Sequence, residues 1–333
     1  MCLILKGLSI KRFQYYLIFI ISFFLNAQNS TLDFYYTHSS LFFFEAIENG
    51  EVSGITWNPN TKKFLLINDE NGLIWEADTN LSVIRVITGA NFGDTEDIIY
   101  FDDDSYGILT EAGKLYIGDI TDGNNNYHIN VSNFQEISFT NHNGNSGPEG
   151  IAYDGLTEMI YIAKEKNPME IYRFQLPTSH NDITIDPEIP FDAQSIFANT
   201  LDDISAILFD ERIQRLLVLS EDSNKIIDVE PENGTIKGFY DLENDHQYEG
   251  ISFLDKNYNL VIVGEPNFYL KVFRNCQSEI INLSFNLICV LDSILTNDEH
   301  CFLDLNYDQT TDIFDTLIAI DLQNGFNYYN CSD

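Results

Sequence analysis

Five times along the chain an acidic or Ser-Gly turn opens an apolar run, and a second carboxylate follows at a similar distance. In two copies that distance is 16 residues, Glu149 to Glu165 and Glu249 to Glu265. The others are Glu51-Val52-Ser53-Gly54-Ile55 with Asp69-Glu70, Glu96-Asp97-Ile98 with Glu111, and Asp203-Ile204-Ser205 with Glu221. Between the two acids of each copy lie an apolar run, a polar turn and a second apolar run. Gly150 to Tyr153, Asp154 to Glu158 and Met159 to Ala163 show the pattern. It predicts a strand hairpin with both acids at one end.

Taking Gly54, Asp97, Gly150, Ile204 and Gly250 as equivalent points, the copies start 43, 53, 54 and 46 residues apart. A unit of about 45 residues has room for the four strands of a propeller blade. The longer gaps hold polar insertions, Asp122 to Asn133 and Thr178 to Pro190, expected as loops. No run between Thr31 and Phe273 sustains helical periodicity, which disfavours an α/β enzyme. The expected fold is therefore all-β, a five-bladed propeller. The run Leu41-Phe42-Phe43-Phe44 is placed to supply the outer strand of the last blade and close the ring. Six blades is the alternative count, if Thr31 to Glu48 makes a degenerate extra one.

The ends of the chain set the expected compartment. Lys6, Lys11 and Arg12 precede the apolar stretch Tyr15 to Leu25, and Asn26-Ala27-Gln28 offers a cleavage point after Ala27. This has the outline of a signal peptide over residues 1–27, although Leu25 stands where a small residue is usual. The stretch is too short to span a bilayer, which takes about 20 residues. An exported protein, extracellular or in the cell envelope and without a membrane span after processing, is the expectation. Removal of residues 1–27 takes three of 17 basic residues and none of 52 acidic ones, leaving 14 − 52 = −38. Such a charge excludes nucleic acid as a partner and concentrates cations. A salt-tolerant surface accounts for most of the acids, but not for their recurrence in register.

The propeller is expected over residues 33–274 and a separate module over 276–333. Cys276, Cys289, Cys301 and Cys331 all fall in that tail. In an exported chain they suggest two disulfides, paired by proximity as Cys276 with Cys289 and Cys301 with Cys331. Zinc competes poorly, because no Cys-x-x-Cys pair is present. Within the tail, Asp304, Asn306, Asp308, Asp312 and Asp315 place side-chain oxygens at positions 1, 3, 5, 9 and 12 of a loop, with the Thr310 carbonyl at 7. This is the oxygen spacing that calcium requires. Apolar helical stripes flank it, Leu287 to Leu295 and Ile313 to Leu322. The segment resembles one loop-helix unit of a dockerin repeat, a family that binds calcium and often docks onto a cohesin partner. It departs from that family in having Gln309 where Gly is usual and one loop instead of two. A calcium-stapled cap without a cohesin-like partner stands beside docking.

The main body resembles the SdiA-regulated family of bacterial secreted or envelope-associated propellers over roughly residues 40–274. The residues that carry the resemblance are Glu51 to Ile55 with Asn68-Asp69-Glu70, and Phe92 to Ile98. So are Gly147 to Tyr153 with Ala163 to Pro168, and Tyr248 to Ile251 with Gly264 to Asn267. The resemblance implies a propeller fold and brings no reaction with it. Asp97 replaces the Gly expected after Glu96, and Asp203-Ile204-Ser205 lacks Glu-Gly altogether.

In a propeller the innermost strands line the channel, so Glu96, Glu149, Glu249 and Asp203 are expected to face one another near one mouth. Glu70 or Asp69, Glu111, Glu165, Glu221 and Glu265 would end the neighbouring strands on the same side. Crowded carboxylates take up protons or gather a cation. Strand alternation would turn Lys164 and Lys166 away from Glu165, and sequence leaves Arg173, Arg212 and Arg215 unplaced.

Three readings stay open. Each Glu could accept backbone N–H bonds from the next blade as a clasp, the ring could hold calcium for a ligand, or it could be catalytic. Propellers with related Glu-Gly-Ile signatures include calcium-dependent phytase-like esterases and lactonases. Yet His38, His128, His142, His180, His246 and His300 are scattered, and no Gly-x-Ser-x-Gly elbow or Cys-His pair is present. The expectation is a binding or envelope protein whose channel holds a divalent cation, with a calcium-dependent hydrolase as alternative. Its ligand would be a small molecule, a carbohydrate stacked on Trp57 and Trp75, or a protein.

Overall fold

The computed structural model describes residues 30–274, apart from 31, 33–34, 38–40, 48–49, 70–71, 103, 122–126, 141, 143–145, 179–180, 244–245 and 255–257. The leader 1–27, Glu70, the four tail cysteines and the loop residues Asp304, Asn306, Asp308, Thr310, Asp312 and Asp315 lie outside the described residues.

The described strands form five sheets, each antiparallel in its first three strands, and their inner strands neighbour one another in cyclic order. Blade I comprises Val52–Asn58, Lys63–Asn68, Ile74–Ala77 and Val83–Thr88. Blade II comprises Thr95–Asp102, Ser105–Thr110, Lys114–Asp119 and Gln135–Ser138. Blade III has three strands, Pro148–Asp154, Met159–Lys164 and Glu170–Gln175. Blade IV comprises Ala206–Asp210, Arg215–Ser220, Lys225–Val229 and Ile236–Asp241. Blade V comprises Tyr248–Phe253, Leu260–Gly264 and Phe268–Arg274, completed by Tyr35–Thr37 and Phe42–Phe43 from the other end of the chain.

That exchange closes the ring. Phe42 pairs with Tyr269 in register and stacks on its ring at 5.2 Å, while Phe44 N–H donates to the Asn267 carbonyl at 2.9 Å. The additional strand Tyr35–Thr37 was not legible in the sequence.

The second strand of each blade is buried on both faces because each blade is sandwiched between two others. Ile160 and Ile162 pack toward blade II, whereas Tyr161 and Ala163 pack toward blade IV. Five such inter-blade clusters make up the core. Burial of each large aliphatic side chain in them contributes roughly 1.5–3 kcal/mol.

The two polar insertions are not simply loops. Tyr127–His128 lies parallel to blade I's outer strand, and Ile183–Thr184 lies parallel to blade II's. Glu188 bridges to Arg173 on the edge of blade III, beside the helix Ala193–Phe197, whose Gln194 side chain accepts from Met169 N–H at 3.0 Å. Unpaired edge groups favour such coverage, and two-residue strands are too short to leave a periodic signature. Among the described residues no helix is long and apolar enough to cross a membrane.

Candidate functional site

Four of the five inner strands carry a bulge at the same place. The register against the second strand shifts between Val52 and Gly54, Thr95 and Asp97, Pro148 and Gly150, and Tyr248 and Gly250. The extra residues are Ser53, Glu96, Glu149 and Glu249. In blade IV, Ser205 N–H and the paired residue Ala206 both address Leu219, so Ser205 takes that position. Ala206, not Ile204, is therefore the counterpart of Gly54, Asp97, Gly150 and Gly250. A bulge re-aims one side chain without interrupting the strand. Here it delivers a ring of three Glu and two Ser.

The residue after each second strand completes a wider ring: Asp69, Glu111, Glu165, Glu221 and Glu265, all acids. Two residues before each bulge stand Glu51, Asp94, Gly147, Asp203 and Gln247. Asp203 thus belongs to this outer position and not to the inner ring. Its carboxylate accepts from Ser220 Oγ and from Asp222 N–H (3.1 Å), and burial raises its pKa. Asp69 takes the position for which either Asp69 or Glu70 was the candidate.

The inner acids converge. Glu149 and Glu96 lie side by side, close enough to share a hydrogen bond once one of them carries a proton, and Glu249 interacts with both through space. Burial is the main cause of their raised pKa values, about 8 for Glu96, about 12 for Glu149 and about 9 for Glu249. Neighbouring carboxylates come next, Glu96 and Glu165 acting on Glu149, and Glu221 and Glu265 acting on Glu249. Among the described residues, no basic side chain stands among the main influences on these three. Glu111 is raised by burial and by Asp94, and Glu221 by burial and by Asp203.

Backbone groups, not the glutamates, join the blades at this end. Thr95 N–H donates to the Asp69 carbonyl (3.2 Å) and Ile204 N–H to the Glu165 carbonyl (3.0 Å). At this end, among the described residues, the carboxylate built as a clasp is Asp97, which is 5% exposed and accepts from Ile98 N–H (2.8 Å) and Ile151 N–H (2.9 Å). Burial pushes its pKa well up, against the pull of those donors. It fits because Gly54 faces it: a Cβ on Gly54 would stand 2.7 Å from Asp97 Cα. The inner strands of blades V and I are similarly close, with a Cβ on Gly250 falling 3.1 Å from Gly54 Cα. What reads in sequence as a lost glycine is a gained clasp across three blades.

Among the described residues three groups offer carboxylate oxygens within 4.8 Å of one another: Glu51, Asp69 and Glu265; Asp94, Glu96 and Glu111; Asp203, Glu221 and Asp222. The third is already compensated. Lys166 Nζ lies 2.5 Å from Glu165 and 3.5 Å from Asp222, contrary to the orientation expected from strand alternation. The strand ends at Lys164, and the turn with Asn167 at φ 59° folds Lys166 back toward the mouth. Lys164 does point elsewhere, its ammonium donating to the carbonyls of Lys166 and Pro168 (2.5 and 2.8 Å). The arginines serve other acids: Arg173 binds Glu188 and Glu232, Arg212 binds Asp210, and Arg215 binds Asp228.

The family model described as SdiA-regulated matches residues 35–273. The chain belongs to the SdiA-regulated family. Among solved structures this SdiA-regulated propeller is similar to a chain of a nidogen/laminin complex, at 12% identity and TM-score 0.45 over 64% of this chain and 72% of that one. It is similar to a luciferin-regenerating enzyme at 10% identity and TM-score 0.46, over 70% and 94% of the two chains. It is also similar to a calcium-binding protein, regucalcin, from Agrobacterium tumefaciens, at 11% identity and TM-score 0.44 over 68% and 93%.

The aromatic residues of the SdiA-regulated propeller do not form a stacking surface around the tryptophans. Trp75 is 4% exposed in the core between blades V and I, and Trp57 packs on Phe64 at 4.7 Å. The bulge position was invisible in the sequence, although a polar residue directly before each small or acidic pairing residue was a trace of it.

Proposed function

We propose that this SdiA-regulated propeller is an exported binding protein that holds a divalent cation at its carboxylate-lined mouth and presents it to a ligand. The observation that carries this reading is the cluster of Asp94, Glu96 and Glu111, whose carboxylate oxygens lie within 4.8 Å of one another, with the acids Glu149 and Glu249 beside it. Acids held together in this way bind protons or a cation, and in the neutral range a hard divalent cation relieves the repulsion best. Calcium suits an all-carboxylate set, since it takes six to eight oxygens and tolerates irregular geometry.

Asp94, Glu96 and Glu111 are the best placed ligands, because Glu96 also joins the inner ring and no lysine competes there. Glu149 and Glu249 would then face whatever approaches along the axis. A cation with coordination positions left open would bind a carboxylate, phosphate or sugar hydroxyl of a small molecule, carbohydrate or protein. The Asp304–Asp315 loop would be a separate calcium site in the tail, stapled by Cys276, Cys289, Cys301 and Cys331, with a cohesin-like partner as one use of it.

A second reading, calcium-dependent hydrolysis, is favoured by one feature. A protonated Glu149 beside Glu96 is a general acid poised next to a carboxylate.

Calorimetric titration of the full chain with calcium separates the sites. Glu96→Gln/Glu149→Gln should remove one class of binding and leave the tail's, while Asp304→Asn/Asp308→Asn should do the reverse. Unchanged stoichiometry in the first variant would overturn the channel site. Turnover of phosphoesters or lactones that disappears in that variant at unchanged melting temperature would select the hydrolase.

A further inference from the structure

The connection from blade II to blade III is anchored twice beside the acids of the mouth. After Gln135–Ser138 it meets the hairpin turn of blade II, where Phe139 N–H and Thr140 N–H both donate to the Gly113 carbonyl (3.2 and 3.4 Å). It is held again at Gly147, whose N–H donates to the Glu111 carboxylate and whose carbonyl accepts from Glu165 N–H at 2.8 Å. His142 stands between these two anchors in the chain.

Gly147 shows how close His142 comes to Glu111. A Cβ on Gly147 would stand 2.5 Å from Glu111 Cγ and 3.1 Å from His142 Cδ2, so the glycine leaves room for both side chains to approach. His142 also acts on Glu111 through space, favouring its ionised form. The ring atom bonded to Cδ2, Nε2, is cut off from solvent and has no hydrogen-bond partner among the described residues. A ring nitrogen either donates or accepts, and leaving it buried and unmet costs about 1–3 kcal/mol. Among the described residues the other two histidines are engaged elsewhere. His128 Nδ1 meets the Thr88 hydroxyl at 3.1 Å, and His246 packs on the rings of Tyr248 and Phe268. A buried polar atom kept without a partner calls for an explanation, and an ion is one.

We propose that His142 Nε2 is a further ligand of the cation held by Asp94, Glu96 and Glu111, and that it tilts the mouth from calcium toward a first-row transition ion such as manganese. The inference rests on the cation-binding reading above and narrows it to a class of metal. His142 stands outside the trio whose oxygens gather within 4.8 Å, so it joins by rotation about its own side-chain bonds. Calcium gains nothing from that rotation, because it is satisfied by oxygens. Imidazole nitrogen suits first-row transition ions, whereas carboxylate oxygens serve both classes. One nitrogen added to three carboxylates therefore raises the affinity for one class and leaves the other to the acids.

The test uses the full chain carrying Asp304→Asn/Asp308→Asn, so that the tail loop does not compete, loaded with manganese. Pulsed electron paramagnetic resonance should show nitrogen coupled to the bound ion, and His142→Gln should remove that coupling with circular dichroism unchanged. Loss of a group that only orients a ligand costs about 10–100-fold in metal affinity, so His142→Gln should lower manganese affinity by at least about tenfold in calorimetry. Calcium affinity should fall much less. Bound manganese without nitrogen coupling, coupling that survives His142→Gln, or equal losses for the two ions would overturn the assignment of His142 while leaving a cation at the mouth. If neither ion binds in a way that Glu96→Gln/Glu149→Gln removes, the cation-binding reading itself falls and takes this assignment with it.

Discussion

Acids inside the blades and acids at the mouth are both poorly solvated, yet the first are matched one by one by arginines whereas the second, among the described residues, share a single lysine on one side. Asp228 is fully buried 2.8 Å from Arg215, Asp210 accepts from Arg212 under the Tyr258 ring, and Glu76 is clamped by Arg85 at 2.8 and 3.0 Å. At the mouth Glu96 faces Glu149, and Glu249 faces Glu221 and Glu265. The chain can place arginine against a buried carboxylate wherever structure requires it. At the mouth only one lysine among the described residues, Lys166, is supplied, and to one side. Stability explains the first arrangement and not the second, which fits a centre that takes its positive charge from outside.

The contrast breaks first at the structural acids. Removing the guanidinium in Arg215→Ala strands Asp228, and unfolding in urea should show a loss of roughly 3–5 kcal/mol. Asp97→Ala leaves the N–H groups of Ile98 and Ile151 without their acceptor, for a loss of about 3 kcal/mol. An effect below about 1 kcal/mol at either position would mean that the clasp and the ion pair do not bear on stability as described.

The channel acids should behave in the opposite sense. Glu96 and Glu249 have folded-state values of about 8 and 9 against 4.5 for an ordinary glutamate. A carboxyl that holds its proton more tightly when folded stabilises fully below the unfolded value, and that contribution is lost as pH rises through the folded one. In chelator the melting temperature should therefore fall from pH 5 to pH 9. Glu136, Glu188 and Glu230, lowered by Lys114, Arg173 and Lys237, are ionised throughout that window and do not offset the trend. Calcium at about 100 times its dissociation constant should return about 2.7 kcal/mol at pH 8. A melting temperature flat with pH in chelator would contradict the protonated ring.

The smallest effect sharpens the comparison most. Glu96→Gln keeps the shape of a protonated carboxyl, so at pH 8 in chelator its stability should stay within about 1 kcal/mol of the parent. Its stabilisation by calcium should nevertheless be lost. A clasp would give a large loss of stability with or without calcium.

Much of the architecture was legible because strand hairpins and their turn acids repeat at blade spacing. Four of the five second-strand acids, Glu111, Glu165, Glu221 and Glu265, and the closing run at Phe42-Phe43 can be read directly, whereas for the first blade Asp69 and Glu70 stay alternatives. Register could not. Aligning Asp203-Ile204-Ser205 on its acid falls two residues out, because a bulge adds a residue without changing composition and nothing in the sequence marks Ser205-Ala206 as the counterpart of Glu149-Gly150. Alternation misplaces Lys166 because it does not extend past Lys164, where the strand ends. Asp97 looked like a departure from Glu-Gly, since nothing in the sequence shows that Gly54 vacates the space its carboxylate fills.

The most direct measurement is anomalous diffraction from crystals of the full chain grown with calcium and, in parallel, manganese. The account predicts a peak with oxygens of Asp94, Glu96 and Glu111 at about 2.3–2.6 Å for calcium. A mouth in which Glu96 and Glu149 stay hydrogen-bonded to each other, with no anomalous peak among the carboxylates at millimolar metal, would contradict it.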